Sequence, residues 1–216
     1  CPAPCENSCV LAKNDDPVTI KSIERAIVDR GWEEGWIRPD PPESRTDHEI
    51  AVVGSGPAGL ATAQQLNRAG HHVTVFERHD EIGGLMRYGI PDPKFAKKRV
   101  DLRVDQLREE GIAFETNTEI DETNAERLRS DFDASVIAVG SQKPYDIDLP
   151  GRDLDGIDFA MDYLTQANRT QADKPVSGER IDAEDKNVVV LGGGDTGADC
   201  VATAHRQGAT QVVQVE

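Results

Sequence analysis

Twice in this chain a short apolar run enters a Gly-x-Gly-x-x-Gly turn and leaves it in a stretch of small residues. The first is Ile50-Ala51-Val52-Val53 followed by Gly54-Ser55-Gly56-Pro57-Ala58-Gly59, with Ala61 and Ala63 beyond it. The second is Asn187-Val188-Val189-Val190-Leu191 followed by Gly192-Gly193-Gly194-Asp195-Thr196-Gly197-Ala198. In such a turn the first glycine permits the tight bend, and the second lets a diphosphate approach the backbone. The third lets helix and strand pack closely. The unpaired N–H groups and positive dipole end at the helix start favour phosphate.

Each turn leads through a helix to a second strand with an acid at its end. His72-Val73-Thr74-Val75-Phe76 ends in Glu77, 23 residues after Gly54, and Gln211–Val215 ends in Glu216, 24 after Gly192. An acid at that spacing accepts hydrogen bonds from ribose hydroxyls. One glycine turn alone could be an ordinary loop. Two in the same context, 138 residues apart, point to two dinucleotide sites, and hence to a flavin fed by a nicotinamide.

Between the turns the pattern alternates. Lys94 to Gly111 predicts a helix with Val100, Val104 and Leu107 inward; Ile112–Glu115 predicts a strand, and Asn124–Arg129 a short helix. Ala134 to Gly140 predicts a buried strand ending in glycine, and Asp158–Asn168 a helix. Such alternation implies an α/β fold with largely parallel sheets. The glycines of Glu81-Ile82-Gly83-Gly84-Leu85-Met86-Arg87-Tyr88-Gly89-Ile90-Pro91 suit either a loop passing close to a flat ligand or a plain glycine turn. Upstream, Val18 to Gly31 predicts a helix with Ile20, Ile23 and Ile27 on one face and Gly31 at its end. Trp32 and Trp36 are then expected to pack this segment against something, with a binding face marked by the two indoles as the alternative. The proline-rich stretch from Ile37 to Ser44 reads as a linker, and the polar stretch from Thr170 to Lys186 as a second boundary. The expected domains are therefore 1–40, 41–170 and 171–216.

Forty acidic against 24 basic residues give a formal charge of −16. Such a surface repels phosphate backbones and anionic lipid, so neither nucleic acid nor a membrane is an expected partner. No apolar run approaches the ~18–20 residues of a membrane helix, and no signal peptide is evident, so a cytoplasmic protein is expected. Cys1 at the start and Glu216 on a strand read as an internal stretch of a longer protein.

Cys1, Cys5 and Cys9 place three thiols at intervals of four. In a nucleotide-binding chain this favours iron–sulfur or metal ligation over a disulfide framework, with incidental thiols as the alternative. The remaining cysteine, Cys200, follows the second turn and reads as a buried helix residue.

Taken in order, Cys1-Pro2-Ala3-Pro4-Cys5-Glu6-x-x-Cys9, Pro17-Val18-Thr19-Ile20-Lys21, Gly54-Ser55-Gly56-Pro57-Ala58-Gly59-Leu60, Gly89-Ile90-Pro91 and Gly192-Gly193-Gly194-Asp195-Thr196-Gly197 resemble the small (β) subunits of NADPH-dependent glutamate synthases. A looser version occurs in related electron-input flavoproteins. The resemblance implies two Rossmann-like domains, for FAD and NADPH, preceded by the end of a helical iron–sulfur domain and followed by more of the nicotinamide domain. Gly54, Ser55, Gly56, Pro57, Ala58 and Gly59 would cradle the FAD diphosphate, with Glu77 on the ribose. Gly84 and Leu85 would lie beside the nucleotide, and Gly140 would close a second FAD motif. Gly192, Gly194, Asp195, Thr196 and Gly197 would form the NADPH turn. Cys1, Cys5 and Cys9 would help ligate a 4Fe-4S cluster, while Glu24, at a place where relatives can use a side-chain oxygen, reads as a solvated helix residue. Hydride would pass from NADPH to FAD and electrons onward through clusters to a large (alpha) subunit that makes glutamate from 2-oxoglutarate and glutamine, in a hetero-oligomer. No acid–base catalyst is expected on this chain. Glu216 by simple electrostatics favours a free ribose hydroxyl, hence NADH, over a 2′-phosphate.

Three other readings compete. Disulfide reductases of the glutathione type need paired cysteines where this chain has Gly83-Gly84-Leu85-Met86. An electron-transfer subunit of a ferredoxin–NADP or sulfide-linked complex would differ only in its partner. A non-catalytic redox sensor would bind a nucleotide without turning it over.

Overall fold

A computed structural model describes residues 3–141 and 143–216 and divides the chain into two compact units, 1–40 and 41–216. The first unit contains helix α1 (Pro4–Asn7), a 3-10 turn (Val10–Lys13) and helix α2 (Ile20–Glu33). Glu6 ties the first two helices together by accepting a hydrogen bond from the Lys21 amide at 2.9 Å. Gly31 does not end α2 as expected. It sits inside the last turns because Ile37 folds back on it, and a Cβ there would lie 3.1 Å from the Ile37 side chain. The helix stops instead near Gly35, at φ +70°. The expected packing of this segment also needs correction: Ile23 and Ile27 are exposed, Trp32 is half-buried, and Trp36 is 64% exposed. Beside α2 this unit offers only a four-residue helix and a 3-10 turn, too little to cover an apolar stripe.

The second unit is built on parallel strands. β1 (Glu49–Val53), β2 (His72–Phe76), β3 (Ala113–Glu115) and β4 (Ala134–Ile137) form a sheet in the order β3-β2-β1-β4. Its register pairs Val53 with Phe76 on one side and with Ile137 on the other. Helices α3 (Pro57–Arg68) and α5 (Lys98–Glu109) cover one face, where Val52, Val75, Leu60, Val100, Val104 and Leu107 form the main core. Beneath the other face α6 (Ala125–Asp131) supplies Leu128 against Ala51, Val53 and Phe76. Burying an aliphatic or aromatic side chain of this kind contributes about 1.5–3 kcal/mol each, so the sheet order follows from which strands are apolar on both faces.

The structure departs from the sequence pattern at β4 and at the start of α5. Ala134–Gly140 is not a buried strand. β4 is the edge strand of the sheet and ends at Ile137, which is 64% exposed, although the Ala138 amide still donates to Val53 O at 2.8 Å. The helix expected from Lys94 begins at Lys98, since Lys94 and Phe95 form a turn on Pro91 O and Asp92 Oδ1 accepts from the Lys97 amide at 3.0 Å. The inward set Val100, Val104 and Leu107 is as expected.

After a short helix α4 (Leu85–Tyr88), helix α7 (Ala160–Gln171) packs against α8 (Asp195–Gln207) through Tyr163, Leu164 and Cys200. Strands β5 (Asn187–Leu191) and β6 (Gln211–Val215) form a second, two-stranded parallel sheet. Gly208, in the left-handed region at φ +89°, ends α8. The parallel α/β class and both strand–turn–helix–strand units are thus as expected. Among the described residues no helix is long and apolar enough to cross a membrane.

A buried polar network joins α3 to the end of α5. The carboxylate of Glu110, fully buried, accepts from Gln64 Nε2 at 3.1 and 3.2 Å and from Gln106 Nε2 at 2.7 Å. The Glu110 carbonyl accepts from Asn67 Nδ2 and from Arg45 Nη2, each at 3.0 Å. Removing the carboxylate takes the acceptor from the buried Gln64 and Gln106 amides, which costs more than the bond itself. Glu110→Ala is therefore expected to lower stability by about 2–4 kcal/mol, read as a fall in the denaturation midpoint. An unchanged midpoint would mean the network is not formed in solution.

Candidate functional site

The two glycine turns repeat one another in backbone detail. At the first, the Gly54 amide continues the sheet by donating to Phe76 O at 2.8 Å, and the chain then turns with Gly54 at φ +104°. At the second, the Gly192 amide donates to Val215 O at 2.8 Å, and Gly192 stands at φ +120°. These are conformations that residues with a Cβ rarely adopt. The third glycine of each turn lies directly on the carbonyl of the first. A Cβ on Gly59 would be 1.9 Å from Gly54 O, and one on Gly197 would be 2.2 Å from Gly192 O. The middle glycines, Gly56 and Gly194, cap α3 and α8 with nearly identical dihedrals, φ −67° and −75°, ψ −178° and −176°. Neither helix start has a side-chain cap, and a Cβ on either middle glycine would meet nothing within 4 Å. Uncapped amides facing open space at a helix N-terminus are the elements of a phosphate cradle.

Around the first turn the expected residues converge. Ser55 is buried, and Glu77 is only 5% exposed. Glu77 Oε2 accepts from the Ser55 hydroxyl and, at 3.3 Å, from the Ser55 amide, while Oε1 accepts from the His79 amide at 2.8 Å. The Ser55 hydroxyl oxygen in turn accepts from the Gly83 amide at 2.9 Å. The carboxylate expected to face ribose is thus also the post on which turn, strand end and the Gly83-Gly84 loop are fixed. Gly84, at φ +54°, comes so near that a Cβ on it would be 3.0 Å from Gly56 Cα. Pro57, at the first helical position, and Ala58 are exposed at the mouth, and Leu85 is exposed at the start of α4. Gly140, at φ +70°, follows β4, whose exit places Ala138 O against Gly54.

Around the second turn Asp195 and Thr196 are exposed. The Glu216 carboxylate lies over Gly193, so that a Cβ there would be 2.2 Å from Glu216 Cδ. Glu216 therefore occupies the place beside Gly193 that Glu77 occupies beside Ser55. Gln214 Nε2 donates to Gly192 O at 2.8 Å and steadies the turn.

Sequence reasoning missed the residues that brace these turns. Lys94 reaches α8, with its ammonium 2.9 Å from Asp199 Oδ1 and 3.4 Å from Asp195 Oδ1. Its partners lie about a hundred residues away, so no local spacing could reveal them. Lys97 Nζ donates to Met86 O at 3.0 Å and to Ile90 O, and burial pushes its pKa down to about 8. Burial also lowers the His79 imidazole, although Glu77 beside it works the other way. Cys200 is buried, which with neighbouring Asp199 pushes its thiol up to about 11 and leaves it unreactive.

Of the three expected cluster ligands, Cys1 lies outside the described residues. Cys5 is exposed on α1 and Cys9 half-buried just after it, both free thiols. Backbone hydrogen bonds, from Val18 first and then Leu11, hold the Cys9 thiol below its ordinary value. Among the described residues no three His, Cys, Asp or Glu side chains are grouped as a metal site. Glu24 is exposed on α2.

The cradle geometry separates two kinds of glycine. Gly59→Ala drives a methyl into Gly54 O and should cost about 3 kcal/mol in unfolding free energy. Gly56→Ala adopts an ordinary backbone conformation and should change stability by no more than about 0.5 kcal/mol, yet weaken binding of a diphosphate-bearing nucleotide at this turn, because the methyl enters the open space. Chemical denaturation together with a nucleotide-binding titration checks both. A Gly56→Ala protein that binds the nucleotide as tightly as the unmodified one would contradict the cradle.

Comparison with known proteins agrees with this geometry. A family model described as pyridine nucleotide-disulphide oxidoreductase matches residues 48–216. The glutamate synthase (NADPH) small chain of Mycobacterium tuberculosis is 54% identical across the whole chain, and that of Bacillus subtilis 55% across 99% of it. Glutamate synthase (NADH) of Saccharomyces cerevisiae is 50% identical across the whole chain, which covers 10% of that protein. The chain spans about half the length of the bacterial small chains, 45% and 44%. Mycobacterium tuberculosis FprA in complex with NADPH shares the fold, with a TM-score of 0.60 at 23% identity over 78% of this chain and 43% of that one. The kinship expected from the ordered motifs is therefore borne out. On the match to residues 48–216, this chain belongs to the pyridine nucleotide-disulphide oxidoreductase family.

Proposed function

We propose that this chain is the electron-input part of a glutamate synthase, taking reducing equivalents from NADPH or NADH and passing them toward a large partner subunit. The observation that carries this reading is the doubled cradle: two turns with the same crowding beneath the third glycine and the same open space above the second. Two such sites in one compact unit suit an enzyme that handles two dinucleotides. Relatives named as glutamate synthase small chains, similar along the whole chain, support the choice of system.

FAD at the first turn and a nicotinamide coenzyme at the second would supply the hydride chemistry. The chain's own residues bind and orient. Gly54 and Gly59 hold the first turn open and pressed onto α3, and the amides at the start of α3 face the diphosphate. Glu77 retains acceptor capacity for ribose, since each carboxylate oxygen carries two lone pairs, and Gly84 and Leu85 border the same mouth. Gly192, Gly194, Asp195, Thr196 and Gly197 do the equivalent at α8, with Glu216 disposed to favour a ribose bearing free hydroxyls. Positioning two bound groups supplies rate without an acid or base on the protein. Cys5 and Cys9, with Cys1, are offered as thiolates to a 4Fe-4S cluster. A cluster of this kind takes four ligands, so the described residues furnish part of a set.

Anaerobic addition of NADPH, and separately NADH, to the intact protein tests the reading. Bleaching of a bound flavin by at least one coenzyme is the expected result. A colourless protein, or a flavin that neither coenzyme reduces, would favour a nucleotide-binding sensor instead.

A further inference from the structure

The turn that follows Gly89-Ile90-Pro91 is unusually well fixed. The Lys94 and Phe95 amides donate to Pro91 O, each at 3.0 Å, and Phe95 packs against the main core. Lys97 Nζ closes the same loop on Met86 O and Ile90 O. From this rigid support Lys94 extends to the start of α8 and bridges two carboxylates one turn apart, Asp195 and Asp199. The Asp199 side chain is only 13% exposed and that of Lys94 47%, so this contact is shielded on the carboxylate side. The bonds to Asp199, foremost, and Asp195 hold the ammonium above its ordinary value against the opposing effect of burial.

The position of these charges is what matters. The cradle at the start of α8 would receive a diphosphate, yet Asp195 is the first residue of that helix and Asp199 lies one turn below it. Two negative charges within a turn of the cradle oppose an anion, and a cation held between them offsets that opposition. We infer that Lys94 is a positioning residue for the second dinucleotide: it neutralises the acids at the mouth of the α8 cradle and ties that mouth to the loop beside the first. This inference rests on the proposed function, because it assumes a dinucleotide binds at the second turn.

Lys94 variants of the intact, flavin-loaded protein test it, with the dissociation constant for NADP⁺ and for NAD⁺ measured by titration. Lys94→Met is expected to weaken binding about five- to tenfold while flavin content and visible spectrum stay unchanged, and Lys94→Arg is expected to recover most of the affinity. Asp199→Asn alone is expected to tighten binding about two- to threefold, so the idea stays testable should Lys94→Met fail to fold. Unchanged affinity in Lys94→Met, an arginine variant as weak as the methionine one, or weaker binding in Asp199→Asn would overturn it. Absence of any coenzyme binding to the unmodified protein would instead count against the proposed function.

Discussion

In both halves of this chain the carbonyl of one glycine rests on the Cα of another five residues later, with no room for a methyl between them. That contact is the constraint from which the site follows. It brings the first turn of a helix against the end of a strand, so the helix amides open beyond the sheet edge and not onto a side chain. It also obliges the first glycine into a left-handed conformation, at φ +104° and +120°. The space above the middle glycine is the reverse of this crowding. A chain that needed only a tight connection between strand and helix would have no reason to keep both the crowding below and the vacancy above, and here it keeps them twice.

The acids at the ends of β2 and β6 extend the parallel. Glu77 is fixed by Ser55 and His79, and Glu216 lies over Gly193, so each turn has a carboxylate at the residue that follows its first glycine. The first is buried within a hydrogen-bonded post that also holds the Gly83-Gly84 loop. Its position is thereby set before any ligand arrives, which reduces the ordering cost of binding. The second turn is more exposed and is steadied by Gln214 and by the charges around Lys94. Helix α7 packs on α8 and also meets α4, so the elements bordering the two cradles are mechanically linked within one unit.

Much of this was legible in the sequence because its causes are local. Gly54, Gly56 and Gly59 declare their roles by spacing, and Val100, Val104 and Leu107 declare a buried helix face by period. What was not legible depended on neighbours remote in the chain. Gly31 reads as a helix stop but serves the close approach of Ile37, and Ala134–Gly140 reads as a buried strand although its composition cannot tell centre from edge. The reach of Lys94 to Asp195 and Asp199, and the engagement of Glu77 by Ser55, arise only when turns far apart in sequence meet. Cys5 and Cys9 carry a spacing whose meaning depends on further ligands, so neither their sequence nor their placement completes a cluster by itself.

A crystal structure of the intact protein with FAD and NADP⁺ bound tests the central claim most directly. The account predicts one diphosphate on the amides that follow Gly56 and another on those that follow Gly194, with neither turn rearranged. A dinucleotide seated away from these turns, or a side chain of the protein occupying the space above either middle glycine, would contradict it.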